Sequence, residues 1–227
     1  MLYLNIICCT TCNKGIREGI ANSAIFPNLV TMLSPFLVLA AVVVLLSWLG
    51  QRRHLRSITA FPRMELANPV PLTTAAIILG IGIGGFIDGI VFHQILQWHQ
   101  MLSSKITATD YVGKSVNMFW DGIFHLFCLM VLMVGVVKLW QLNKRPLLNF
   151  SAKLLTGGML IGWAIFNMVE GIINHHILKL HNVREQTPAP ENANIFFLAG
   201  SLILFFVGLL LVNSVSVSVR TYRNNHN

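Results

Sequence analysis

Residues 72–101 read LTTAAIILGIGIGGFIDGIVFHQILQWHQM, and Asp88 is the one Asp, Glu, Lys or Arg among them. A bilayer's hydrocarbon core is about 30 Å thick, which a helix crosses in about 20 apolar residues. No water is available there, so the segment must satisfy its backbone hydrogen bonds internally, as a helix. The rest of the chain carries the same signature. Of its 227 residues 55% are hydrophobic and 11% charged, and the mean hydropathy is +0.67. Soluble domains carry roughly 25% charged residues, so a water-soluble globule is excluded. A disordered chain is excluded too, because it needs low hydrophobicity and high net charge. The net charge of +8 suits cytoplasmic loops beside anionic lipid. With no basic patch interleaved with aromatics, the lipid bilayer and not nucleic acid is the expected partner.

Working outward from this segment gives five spans. The first is 27–49, with Pro35 near its start and a basic stretch of Arg52, Arg53, Arg56 and Arg63 behind it. The second is the quoted segment. The third covers about 116–142, the fourth about 147–181 and the fifth about 193–219, with Pro188 and Pro190 between the last two. The expected organisation is therefore an N-terminal segment (1–26), an additional span (27–49), a basic cytoplasmic loop (50–71), a four-helix unit (72–219) and a cytoplasmic tail (220–227). Counting Lys and Arg by side gives Arg52, Arg53, Arg56, Arg63, Lys138, Lys144, Arg145, Lys153, Arg220 and Arg223 on one and Lys14, Arg17, Lys105, Lys114, Lys179 and Arg184 on the other. The richer side faces the cytoplasm, which puts the N-terminus outside and the C-terminus inside. Cys8, Cys9 and Cys12 crowd the N-terminus and Cys128 sits alone in an apolar run. That is no disulfide scaffold, and the trio reads as unpaired small hydrophobes rather than a soft-metal or lipid site. Met1 to Cys9 lacks the basic start and small-residue cleavage site of a signal peptide.

A shift of 82 positions lays span two on span four. Asp88-Gly89-Ile90-Val91-Phe92-His93-Gln94-Ile95-Leu96-Gln97-Trp98-His99 falls on Glu170-Gly171-Ile172-Ile173-Asn174-His175-His176-Ile177-Leu178-Lys179-Leu180-His181, with six identities in twelve. Gly80 falls on Gly162, and a truncated echo, Asp121-Gly122-Ile123-Phe124-His125, opens span three. One span separates the two copies, so they run parallel, related by a pseudo-two-fold along the membrane normal. Asp88 and Glu170, His93 and His175, and His99 and His181 should then lie at matching depths. Pairs of small residues four apart, such as Gly80 with Gly84 and Gly158 with Gly162, allow close helix approach.

The acids and histidines point to metal. An ionisable group at mid-bilayer costs about 2.5 to 3.5 kcal/mol, so Asp88, Asp121 and Glu170 unpaired would cost on the order of 8 to 10 kcal/mol. No Lys or Arg lies beside them within the spans, whereas histidines do. Carboxylate with imidazole is a ligand set for copper, iron, zinc or manganese. On an ideal helix His93 sits about 140° around from Asp88. Either a π-bulge re-aims it or the donors occupy two levels, and counting depth along the spans favours two levels. In that arrangement His93, His125 and His175 with Asp121 meet one ion. Asp88 and Glu170 lie about 7 Å deeper as a second metal level or a proton-holding pair. His99 and His181 sit near the outer surface, as a port of access or as interface anchors. His176 points away from its neighbour His175, and His54 and His226 are incidental.

Residues 85–99 (GFIDGIVFHQILQWH), with Phe166-Asn167-Met168-Val169-Glu170-Gly171 and His181-Asn182-Val183-Arg184, resemble the bacterial membrane-protein family called domain of unknown function 2243. The resemblance covers about residues 72–215. It implies a four-helix membrane unit to which span one is an addition, sited in the bacterial inner membrane, and it carries no established activity. Members of that family often have a second His after the Trp-His pair, where this chain has Gln100.

The functional expectation is a membrane metalloprotein holding one or two transition-metal ions through His93, His125, His175, Asp121, Asp88, Glu170, His99 and His181. Copper or iron comes first and zinc is an alternative, with redox chemistry as the use, as in a metal-dependent oxidoreductase. Haem held by His93 and His175 is disfavoured because acids flank them. The competing readings are metal or proton transport and delivery, or a non-catalytic subunit of a larger membrane complex or a homo-oligomer.

Overall fold

In a bilayer the hydrophobic effect gives helices no reason to associate, and close packing through small residues must supply it. The computed structural model, which describes residues 13–60, 65–66, 68–142, 149–215 and 219–220, is built on that device. α1 (Lys14–Asn22) is short, and the side chain of its cap Asn13 accepts from Ile16 N at 3.2 Å. α2 (Ile25–Ala60) contains Pro35. α3 (Val70–Ile87) continues as a π-helix over Asp88–Ile95, and α5 (Ala152–Glu170) continues in the same way over Gly171–Ile177. Between them lies α4 (Tyr111–Gln141), capped by Asp110, and α6 (Pro190–Asn213) ends the bundle. A two-residue antiparallel pairing joins Glu65–Leu66 to Val219–Arg220. Among the described residues, five helices are long and apolar enough to span: 25–56, 70–95, 111–141, 152–177 and 190–213.

α3 and α5 form the central pair. α4 packs on α3, α6 on α5, and α2 lies across α3 and α5. The pair is close because of its glycines. A Cβ on Gly80 would lie 2.1 Å from the Met159 carbonyl oxygen, and one on Gly162 would lie 2.0 Å from that of Ile77. Ile77 and Met159 are themselves 82 apart, so the contact is reciprocal and the repeat is a repeat of packing. α1 lies on the first turns of α4, with Gly19 against Val112 and Val116, and Trp120 Nε1 donates to Ser23 Oγ at 3.3 Å. Outer faces are apolar and open, with Phe26, Leu37, Phe196 and Leu210 at least 70% exposed. On a chain of this hydropathy that surface meets lipid.

Several boundaries differ from the sequence reading, among them the fifth span, whose helix ends at Asn213 rather than at 219. The first span does not stop at 49. Its helix runs on through Arg52, Arg53 and Arg56 to Ala60, and Arg52 lies over the Trp48 ring, 3.7 Å from its centroid. A long cationic side chain that folds back on its own helix needs no loop to reach water. Spans two and four do not extend as helix to Met101 and His181. They end at Ile95 and Ile177, because Gln97 and Lys179 turn the chain in the left-handed region, with φ of 50° and 49°. The N-terminal segment contributes α1. Cys8, Cys9 and Cys12 lie outside the described residues.

Candidate metal centre

Each copy of the repeat makes the same local structure. Leu96 N donates to Val91 O at 2.8 Å and Leu178 N to Ile173 O at 2.7 Å; Trp98 N donates to Phe92 O at 2.9 Å and Leu180 N to Asn174 O at 2.8 Å. Every partner in one copy is 82 positions from its counterpart in the other. The widened i→i+5 turns of the π segments bring His93 back over Asp88, whereas an α-helix would hold them well apart in azimuth. The left-handed residues then fold the chain inward, so that His99 and His181 return to the bundle interior.

The two returning loops read each other's backbone. His99 Nδ1 donates to the Val183 carbonyl at 2.8 Å, and His181 Nδ1 donates to the Met101 carbonyl at 3.0 Å. Met101 and Val183 are again 82 apart. A carbonyl only accepts, so in both rings Nδ1 carries the proton and Nε2 keeps its lone pair. Asp121 serves His93 in the same way, its Oδ1 accepting from His93 Nδ1 at 2.9 Å and from Met101 N at 2.8 Å. Asn117 Oδ1 accepts from Leu102 N at 3.2 Å, and Asn194 Oδ1 accepts from Val183 N at 2.9 Å. Ser103 Oγ donates to Glu185 Oε1 at 2.7 Å and latches one loop to the other. A histidine whose second nitrogen is bound to a carboxylate or a carbonyl is the usual form of a metal ligand.

The free nitrogens converge. Ligating atoms of His93, His99 and His181 all lie within 4.8 Å of one another, and so do those of Glu170, His175 and His181. Ring centroids are 4.5 Å apart for His93 and His99, 4.6 Å for His99 and His181, and 4.8 Å for His175 and His181. Asp88 Oδ2 comes within 3.1 Å of His93 Nε2, and Glu170 Oε1 within 3.6 Å of His181 Nε2. Both pairs are near enough for an ion pair, yet neither is aligned as a hydrogen bond. His93 Nε2, His99 Nε2, His181 Nε2, both nitrogens of His175, both oxygens of Glu170 and Asp88 Oδ2 are buried without a hydrogen-bond partner. At about 1 to 3 kcal/mol for each unsatisfied buried atom, these eight would cost on the order of 10 kcal/mol. A cation held by the lone pairs among them would offset much of that cost. Burial first, and then the imidazoles of His93, His181 and His175, hold the His99 ring well below the ordinary histidine range against the opposing pull of the Val183 carbonyl. Near pH 7 it is neutral, the form a metal requires.

The structure gathers the sequence candidates differently from the depth count. The π-bulge is present in both copies, and Asp88, His93, His99, Glu170, His175 and His181 form one buried group. His99 and His181 are 3% and 0% exposed, so they are interior residues rather than surface anchors. Asp121 faces the Nδ1 side of His93 and stands behind it. His125 stays outside. Its Nε2 abuts Gly89, where a Cβ would lie 2.2 Å away, its Nδ1 faces Gln94 Nε2 at 3.5 Å, and its ring stacks on Phe86. His176 turns toward the Gly171 carbonyl and Glu191. The anchoring carbonyls of Met101 and Val183, with Asn117 and Asn194, were not singled out from the sequence. The one signal for them was that Met101 and Val183 occupy matching places in the repeat.

Membrane-length helices around a buried group of acids and histidines that could hold a metal ion define a multi-pass helical membrane protein. The family model described as "Predicted membrane protein (DUF2243)" matches residues 75–215, more than half of the chain, and the chain belongs to that family. The match begins within α3, takes in α4 to α6 and leaves α1 and α2 outside it. No curated protein and no solved structure matches the chain.

Proposed function

We propose that this protein is an integral membrane metalloprotein that binds one or two transition-metal ions in the α3–α5 cluster and uses them for redox chemistry, as a metal-dependent oxidoreductase. The observation that carries the reading is the set of three histidines, His93, His99 and His181. Their Nδ1 atoms are held by Asp121, the Val183 carbonyl and the Met101 carbonyl, and a ring nitrogen of each lies within 4.8 Å of the other two. Imidazole with carboxylate suits copper or iron, and zinc also fits. Asp88, Glu170 and His175 complete the donor set, with Asp121 as the partner that orients His93. The site end of the bundle faces outward across a bacterial inner membrane, by the excess of Lys and Arg at the other end.

Transport is the weaker reading. A conduit needs exchangeable ligands at successive depths, and these donors gather at one place with the rings of His93, His99 and His181 fixed from behind. Elemental analysis of protein purified from membranes without chelators tests the proposal. It expects at least one copper or iron per chain, an optical or paramagnetic signal that dithionite and ferricyanide interconvert, and loss of metal in His99→Ala and His181→Ala. Trace metal in the wild-type protein would overturn metal binding, and zinc alone without a redox signal would overturn the redox role.

A further inference from the structure

Resting on the reading of this cluster as a metal centre, we propose that it is dinuclear. Each ion is held by the acid and two histidines of one repeat: Asp88, His93 and His99 for the first, Glu170, His175 and His181 for the second.

His181 lies in both compact donor groups, with His93 and His99 in one and with Glu170 and His175 in the other. Its Nδ1 proton is given to the Met101 carbonyl, so it has a single lone pair and can serve a single ion. The two groups cannot both be filled as they stand. The repeat settles the division, because Glu170, His175 and His181 are the 82-shifted counterparts of Asp88, His93 and His99. Giving His181 to its own repeat leaves the first ion one ligand short, and Asp88, the counterpart of Glu170 and the acid beside His93, is the residue placed to supply it. Asp88 Oδ2 lies 3.1 Å from His93 Nε2, out of hydrogen-bonding line. Two ligands about 2.1 Å from one ion stand roughly 3.0 to 3.4 Å apart in octahedral or tetrahedral geometry. The supply also matches two ions. The six side chains are enough for three protein ligands each, and one ion would leave several buried lone pairs without a partner. Centroids of His93 and His181, from different repeats, are 5.9 Å apart, which leaves room for two ions at the spacing of about 3.5 to 4 Å found in two-metal sites.

The two positions are not equivalent. His93 is fixed from behind by Asp121, whereas neither nitrogen of His175 has a hydrogen-bond partner and its ring faces Phe197. The ion of the second repeat is therefore the one that a chelator removes first.

Metal-to-protein ratio and X-ray absorption on the whole purified chain test the assignment. The expected results are two ions per chain and a metal–metal scattering shell near 3.5 to 4 Å. Glu170→Gln combined with His175→Gln should reduce the ratio to one and abolish that shell. One ion per wild-type chain, or two without a metal–metal shell, would overturn the dinuclear assignment while leaving metal binding intact. No ion in the wild type would instead remove the reading beneath it. Loss of both ions from the double variant, with helix content unchanged by circular dichroism, would overturn the division by repeat.

Discussion

Gly162→Ala places one methyl group where the structure has no room for it. The added Cβ would stand 2.0 Å from the Ile77 carbonyl oxygen and 2.8 Å from its carbonyl carbon. Both obstacles are backbone, so no side chain can swing aside, and α3 and α5 must separate or slide by more than about 1 Å to restore ordinary contact. Overpacking of this kind costs typically 1 to 3 kcal/mol, and with backbone on both sides the upper half of that range is expected. Gly80→Ala meets the Met159 carbonyl oxygen at 2.1 Å and should cost the same. The double variant should cost less than the two together, because one displacement relieves both clashes; interaction energies of about 0.5 to 3 kcal/mol are usual between such neighbours. Gly122→Ala and Gly200→Ala are matched controls with nothing within 4 Å of the added atom. In a helix interior they should be neutral or gain roughly 0.5 to 1 kcal/mol. Thermal unfolding in detergent reads the stability, and bound metal reads the site, whose acids lie eight residues beyond each glycine on the same two helices. Gly162→Ala melting with the wild type and keeping its metal would refute the reciprocal packing that places the two halves of the site.

Other predictions concern the cluster itself. Asp121→Asn removes the carboxylate behind His93, and loss of such a partner weakens metal binding about 10- to 100-fold; a competition titration measures it, and an unchanged affinity would contradict the role given to Asp121. Asn194→Ala leaves the buried Val183 N–H without its acceptor and frees the carbonyl that holds His99. It should cost about 1 to 3 kcal/mol in melting experiments and lower metal content as well. His176→Ala, at a ring turned to Gly171 and Glu191, should leave metal content unchanged. His125→Ala should also retain metal, since its ring stands outside the group; loss of metal there would restore the ligand set read from depth.

The architecture was legible because the bilayer imposes so coarse a rule. A segment such as 72–101, with one charge in thirty residues, has one way to exist in lipid, and the 82-residue shift made its counterpart visible. The paired glycines announced the close approach of α3 and α5. What the sequence concealed was local backbone geometry. The angle between Asp88 and His93 offered a π-bulge as one of two alternatives without choosing it, and the left-handed turns fall on Gln97 and Lys179, where a glycine would have been the expected sign. Without those turns His99 and His181 project outward, the donors spread into levels, and His125 is drawn in to fill the gap. The anchoring acceptors at Met101 and Val183 are backbone carbonyls, which no residue-type pattern reveals. Asp121 was recognised for its chemistry, but its direction, toward the back of His93, required the fold.

Anomalous diffraction at the metal edge, from crystals of the chain purified without chelators, tests the central claim most directly. The account predicts an anomalous peak about 2.0 to 2.2 Å from the Nε2 atoms of ligating histidines of the cluster, with Asp121 and the Met101 and Val183 carbonyls on the far side of their rings. Side chains joined only to one another or to ordered water, with no anomalous peak among them, would contradict it.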